Sequence, residues 1–215
     1  MGTVVRAIGG LCNRLRVVLS WRAAGATRFV WKPDEEICRA HFLDVFEPIE
    51  GVTWVDGEAD LTTFDPCPHA PSNWQTAYRE LQLLDGFMVG YMKERRPYSA
   101  IHVRRTDHVG LARSVGRYTS DDDFRAWLKV APGPVYIATD NRASQLGFSD
   151  YVRTLGKEAI VQSAIEPSEA QRHTSLHHAA VDLFVCAGAA HFMGSGESSF
   201  SNLVTLLRRT PGWWS

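Results

Sequence analysis

Short β-branched and aromatic runs alternate along the chain with segments whose apolar residues recur at three- and four-residue spacing. This alternation predicts layers of strand and helix. Residues 3–8 read as a buried strand, and the turn Gly9-Gly10-Leu11-Cys12-Asn13-Arg14 follows it. Leu15, Val18, Leu19 and Ala23 then share a helical face, and Gly25 closes that helix. Residues 28–31 form the next strand, stopped by Pro33. Asp34 opens a helix expected to reach Phe42, and residues 52–55 are a third strand. Residues 56–73, with Gly57, Pro66, Pro68 and Pro71, read as loop. Residues 74–94 are expected to be helical, with Leu81, Leu84, Met88 and Tyr91 on one face. Arg95-Arg96-Pro97 marks a junction between two halves.

The second half is more regular. A strand over residues 99–103 ends in Arg104-Arg105-Thr106-Asp107 and a glycine-containing loop, and a helix starts at Thr119 or Ser120 and runs to about Val130. The strand over 135–138 ends in Thr139-Asp140-Asn141. Another helix, a strand over 159–162 and a helix over 175–187 follow. The last strand, 191–193, ends in Gly194-Ser195-Gly196-Glu197-Ser198-Ser199. Ser198 or Ser199 caps a final helix carrying Phe200, Leu203, Val204 and Leu207. No internal sequence repeat is visible, and the fold class is α/β.

Composition narrows the chemistry. At 215 residues the chain has room for one large domain or two small ones. A formal net charge of −1 gives no general attraction to nucleic acid, so any anion site must be local. No apolar run approaches the ~20 residues of a membrane span, and no signal-peptide pattern opens the sequence. Cys12, Cys38, Cys67 and Cys186 stand apart without a Cys-x-x-Cys pair. They are expected to be reduced thiols of a cytoplasmic protein, with neither a disulfide frame nor a metal site.

The polar clusters sit where strands end, which is where open α/β folds bind ligands. After the strand at 99–103, two adjacent guanidinium groups suit a diphosphate; the alternative is a surface Arg-Arg pair with an Asp partner. The Gly9-Gly10 turn lets backbone approach a ligand at a helix start, or is a simple tight turn; it matches neither GxGxxG nor a P-loop. Asp140 accepts from a ribose or base, or caps the next helix. The Gly194–Ser199 stretch is a phosphate nest or a plain helix cap. Asp182 lies in an apolar helix face and needs a partner there, either a guanine edge or an internal arginine. Asp121-Asp122-Asp123 imitates a metal-binding DxD but occupies a first helical turn, where acids complement the dipole. His173 and His177 have metal-site spacing without an accompanying acid, so a helix start is the expectation. Trp213-Trp214 is expected to pack on the body.

Taken in order, these clusters resemble the fucosyltransferase superfamily that includes α-1,6-fucosyltransferases, nodulation fucosyltransferases and protein O-fucosyltransferases. The resemblance rests on Gly9-Gly10-Leu11-Cys12-Asn13-Arg14, His102-Val103-Arg104-Arg105-Thr106-Asp107, Tyr136-Ile137-Ala138-Thr139-Asp140, and Asp182 with the Ser198-Ser199 helix start. Val109-Gly110 follows the arginine motif as it does in the α-1,6 enzymes. The match is firm over residues 98–209 and thin before them.

The resemblance implies a GT-B-like fold of two small Rossmann-type halves with mostly parallel sheets. Residues 1–97 would be a reduced acceptor-side half and 98–215 the nucleotide-sugar half. It implies metal-independent, inverting transfer of L-fucose from GDP-fucose to a glycan or glycoside, with no cofactor beyond the donor. Arg104 would bind the β-phosphate and Arg105 would help neutralise the leaving diphosphate. His102 and Asp182 would read guanine, Ser198 or Ser199 would contact phosphate, and Asp140 belongs to the donor site. Gly10, Asn13 and Arg14 would approach the donor from the first half. His108 and Ala112 stand where the α-1,6 enzymes have a lysine and a glutamate base, so the base is open. His108 is the first candidate, with Asp107 and Glu197 as rivals. The alternatives are a different nucleotide-sugar donor, or an inactive module that binds GDP or glycan. Oligomeric state and acceptor are not encoded legibly.

Overall fold

A computed structural model of the chain describes residues 2–33, 38–87, 97–106, 109–162 and 175–210. The chain falls into two compact units, Met1–Phe87 with Leu206–Ser215, and Met88–Thr205. No helix among the described residues is long and apolar enough to cross a membrane. All four cysteines are buried and none forms a disulfide.

The first unit holds β1 (Val4–Ala7), α1 (Leu11–Ala23), β2 (Arg28–Val30), β3 (Thr53–Trp54) and β4 (Leu61–Thr63). Their sheet order is β3-β2-β1-β4, with every pairing parallel. Beside it, Trp31, Phe42 and Trp54 pack ring on ring, the last two stacked at 4.4 Å. Three expectations need correction. Residues 56–73 are not all loop, because Leu61–Thr63 closes the sheet against β1, and Asp60 accepts the Val4 amide at 2.7 Å just before it. Of the helix expected from Asp34 to Phe42, residues 34–37 lie outside the described residues, residues 38–41 are not helical, and a 3₁₀ turn capped by His41 covers Phe42–Asp44. Of the helix expected over 74–94, residues 88–94 lie outside the described residues, Trp74–Glu80 is a 3₁₀ segment, and a short 3₁₀ turn covers Asp85–Phe87. Residues 81–84 leave the first of these because Leu83 pairs with Phe46, while the Val45 carbonyl accepts from Leu84 and the Gln82 carbonyl from Glu47. The leucine spacing there thus serves a bridge, not a helical face.

The second unit contains β5 (Ser99–Val103), α2 (Val109–Ser114), α3 (Asp121–Val130), β6 (Val135–Thr139), α4 (Arg142–Thr154), β7 (Ala159–Ile160), α5 (Leu176–Gly188), β8 (His191–Gly194) and α6 (Ser199–Arg209), which continues past Thr205. The sheet order is β7-β6-β5-β8, again all parallel. β5 and β6 are buried along their whole length, as strands covered on both faces must be, and this explains their unbroken apolar character. Alternation along the strands then divides the side chains. Ile101, Val103, Val135 and Ile137 join Phe124 and Leu128 of α3 with Phe148 and Val152 of α4 in one core cluster. His102 and Tyr136 therefore belong to the opposite face, and α5 packs on β5 and β6. The loop expected after residue 103 contains an unanticipated short helix, α2.

In both units the chain steps outward over two strands and then returns to the other side of the first. The point where strand order reverses lies between β1 and β4 in one sheet and between β5 and β8 in the other. In open parallel sheets, ligand crevices form outside the carboxyl ends at such points.

Two glycines separate packing from freedom. A Cβ on Gly196 would lie 1.9 Å from the Arg117 carbonyl oxygen, a backbone atom that has little room to move. Gly147, inside α4, has open space instead. Gly196→Ala is expected to destabilise the fold by about 1–3 kcal/mol, whereas Gly147→Ala should stabilise it by about 1 kcal/mol. Urea denaturation of both variants checks this, and a Gly196→Ala protein as stable as wild type would refute the close approach.

Candidate functional site at the end of β5

β5 runs into its polar cluster between the ends of β6 and β8, and both neighbours hold the loop. The Arg104 amide donates to Ser195 Oγ at 2.9 Å, and the Ser195 amide donates to the His102 carbonyl at 2.9 Å. From the β6 side, Asp140 accepts the Arg105 amide on Oδ1 at 2.9 Å and the Thr106 hydroxyl on Oδ2 at 2.6 Å. The same Oδ2 lies 4.0 Å from Arg104 Nε. Asp140 therefore shapes the arginine loop, and the cap of α4 comes from Asn141, whose side chain accepts the Ser144 amide.

The two arginines differ in their surroundings. Both are half-buried. Arg105 places Nε and Nη2 on Asp121 Oδ1 at 3.2 and 2.6 Å, donates Nη1 to the Arg104 carbonyl at 3.1 Å, and lies over the Tyr118 ring. Arg104 points its Nε toward Asp140 Oδ2 at 4.0 Å.

His102 is buried, with Nδ1 2.8 Å from Ser201 Oγ and its ring stacked on Phe200. Burial, assisted by the Arg104 charge, pushes its pKa down to about 3, so it is neutral near pH 7. Asp182 is buried beneath β6, and burial pushes its carboxyl up to about 7, although a hydrogen bond from the Tyr136 hydroxyl pulls it back down. Among the described residues its partner is Tyr136, so the internal arginine considered from sequence does not pair with it.

α6 begins directly beyond β8. Ser198 stands at its cap and accepts the Ser201 amide at 3.5 Å, Ser199 is half-buried in the first turn, and that turn holds no acid. The first-turn amides have no intrahelical acceptors, so they offer a partial positive charge. The glycines of this stretch have a packing role. A Cβ on Gly194 would lie 2.5 Å from Ser201 Oγ, and Gly196 donates its amide to Thr119 at 2.9 Å.

In the first unit, Gly9 has φ of +87° and Gly10 is the cap of α1 without a capping side chain. Arg14 is buried and donates to the Gly9 carbonyl at 2.8 Å and the Lys32 carbonyl at 2.7 Å, so it holds the glycine turn to the end of β2. Asn13 is half-buried beside Gly9.

Asp107 and His108 lie outside the described residues, as do His173, Trp213 and Trp214. Glu197 pairs with Arg117 at 2.6 Å, and Ala112 is buried on α2. The aspartate run divides its work. Asp123 forms a capping box with Ser120, Asp122 pairs with Arg125, and Asp121 takes Arg105. Sequence reasoning missed Ser201, Tyr136 and Asp121 as partners. The only available signal was that buried His102 and Asp182 and half-buried Arg105 each required one.

No family model matches the chain, and no curated protein matches it. Among solved structures the chain is similar to POFUT1 in complex with GDP-fucose, at TM-score 0.65 and 12% identity, over 98% of this chain and 95% of that one. It is similar as well to the NodZ α-1,6-fucosyltransferase soaked with GDP-fucose, at TM-score 0.58 and 17% identity, over 96% and 93% of the two chains. Fucosyltransferase NodZ from Bradyrhizobium gives TM-score 0.55 and 16% identity, over 95% and 92%. The likeness establishes the fold as that of the GT-B fucosyltransferases, two Rossmann-type units with parallel sheets.

The buried pair makes opposite contributions to acid stability. Below about pH 6.5 the unfolded chain protonates His102's imidazole while the folded chain does not, so stability falls with acid by up to about 1.4 kcal/mol per pH unit. Between about pH 7 and 4 the folded Asp182 holds a proton that the unfolded carboxyl has released, so stability rises with acid. The two slopes oppose each other over the shared window. Asp182→Asn should uncover the His102 slope, giving a steeper acid loss than wild type in urea titrations from about pH 6.5 to 4.5. Equal slopes would contradict the assignment.

Proposed function

We propose that the chain is a glycosyltransferase that takes a GDP-sugar, GDP-fucose foremost, and transfers the sugar to a glycan or glycoside hydroxyl with inversion. One observation carries the proposal: the point where strand order reverses brings together two adjacent arginines at the end of β5, a neutral histidine on that strand and the amide-rich start of α6. Structural neighbours of the same fold were determined with GDP or GDP-fucose, which supports this nucleotide class.

In this reading Arg104 and the first turn of α6, with Ser198 and Ser199, hold the diphosphate. His102 and Asp182 face the base, and Asp140 fixes the loop between them. The bond from the sugar's anomeric carbon to the β-phosphate oxygen breaks, and its electron pair leaves with GDP. The acceptor oxygen bonds to that carbon from the opposite face and gives up its proton, with His108 or Asp107 as candidate bases. Fixed positive charge at the leaving group is the main source of rate enhancement, and it replaces the role a metal plays elsewhere. Gly10 and Asn13, with Arg14 holding their turn, belong to the acceptor-side unit. A second reading is a binding module without turnover, favoured by buried Ala112 at the place of the glutamate base in the resembling enzymes.

Arg104→Ala should weaken GDP binding by roughly ten- to a hundredfold in calorimetry with an unchanged unfolding midpoint, the loss of charge-assisted hydrogen bonds. Undiminished affinity would refute the phosphate role. Asp182→Asn should weaken GDP more than ADP or UDP, and equal losses would make Asp182 structural. Donor hydrolysis and transfer should persist in chelator. Strict dependence on added Mn²⁺ would overturn the metal-independent mechanism, and tight GDP binding with no turnover would favour the module.

A further inference from the structure

Two guanidinium groups follow β5, and their environments assign them different work. Arg105 has Nε and Nη2 on one oxygen of Asp121, Nη1 on the Arg104 carbonyl, and its plane over Tyr118, with Phe124 on another side. Tyr118 in turn carries the Arg113 guanidinium of α2 at 4.7 Å, so the ring lies between two cations. With Nε, Nη1 and Nη2 each engaged by the chain's own backbone and α3, three of the five Arg105 N–H groups are committed within the protein. Its bond to the Arg104 carbonyl acts instead on the peptide that directs the neighbouring arginine.

We infer that Asp121 is a positioning residue: through Arg105 it latches the loop after β5 onto the start of α3 and so fixes the direction of Arg104 toward the donor's terminal phosphate. The inference rests on the nucleotide reading of Arg104 and gives Arg105 a different part from the one the resemblance implies. Three anchors then hold the loop from three elements. Ser195 after β8 takes the Arg104 amide, Asp140 after β6 takes the Arg105 amide and the Thr106 hydroxyl, and Asp121 at α3 takes the Arg105 side chain. Asp121 is not needed to cap α3, because the capping box is made by Ser120 and Asp123. A substitution at Asp121 therefore tests the latch with the helix left in place. The role of Asp121 differs in kind from a dipole contact, since it depends on a guanidinium partner.

The test compares wild type with Asp121→Asn, Asp121→Glu and Arg105→Gln in two measurements. Amide hydrogen exchange over Arg104, Arg105 and Thr106 should quicken in Asp121→Asn while α3 keeps its protection, and Asp121→Glu should recover part of the loss. Unchanged exchange in this loop would overturn the latch. Calorimetry with GDP and GMP reads the terminal phosphate alone. Asp121→Asn should narrow the preference for GDP by roughly three- to tenfold, and the double variant with Arg105→Gln should lose no more than either single one, as coupled sites do. A preference that widens in Asp121→Asn would mean that a released Arg105 binds phosphate itself, and this overturns the proposal. A wild-type chain indifferent to GDP and GMP would sink the nucleotide reading, and the exchange result would then decide the latch by itself.

Discussion

The carboxylate of Asp140 accepts on both oxygens from the loop that follows β5, and the geometry of the candidate site depends on this attachment. A strand leaving the middle of a parallel sheet has no partner for its next backbone groups, and buried amides without acceptors are costly. Asp140 supplies one acceptor from the β6 side and Ser195 another from the β8 side, so the loop is held at the place where strand order reverses. A pair of adjacent arginines in a mobile loop would spread their charge over many directions. Here one guanidinium is engaged by Asp121 and the carbonyl before it, and the other lies 4.0 Å from the Asp140 carboxylate that holds the loop.

The electrostatic state of the two buried groups beneath the site follows from burial. His102 is kept neutral by the absence of water and the nearby arginine, so it acts through hydrogen bonds and ring stacking, not through charge. Asp182 is held near the middle of its titration at neutral pH, with the Tyr136 hydroxyl drawing it toward the anion. In the proposed reading an uncharged donor edge from a base would favour that anion further, and binding would release a proton. In the proposed reading, charge toward a phosphate and polarity toward a base would come from the two neighbours of one strand, β8 with α6 and β6 with α5.

Much of this was legible in the sequence, for physical reasons. β5 and β6 are covered on both faces, so they read as unbroken apolar runs, and each ends at an abrupt polar cluster. Ser120 and Ser175 announce α3 and α5 because a cap needs a short acceptor at a defined offset. β4 was hidden because three residues, Leu61–Thr63, among prolines and glycines carry no measurable period, and its strand character comes from β1. The segment after Trp74 misled for the opposite reason. Leu81 and Leu84 keep helical spacing, yet residues 81–84 pair with the chain near Phe46. Pairings such as Arg105 with Asp121 and His102 with Ser201, separated by 16 and 99 positions, have no local signature at all. The duplicated strand order of the two sheets was likewise invisible, since the units share a topology without a shared sequence.

Crystallising the protein with GDP tests the account most directly. The account places a terminal phosphate oxygen within hydrogen-bond reach of the Arg104 guanidinium and the first turn of α6, with the guanine edge toward His102 and Asp182 and with Arg105 still on Asp121. Density for the nucleotide away from the end of β5, or bound there with Arg104 turned from the phosphate, would contradict it.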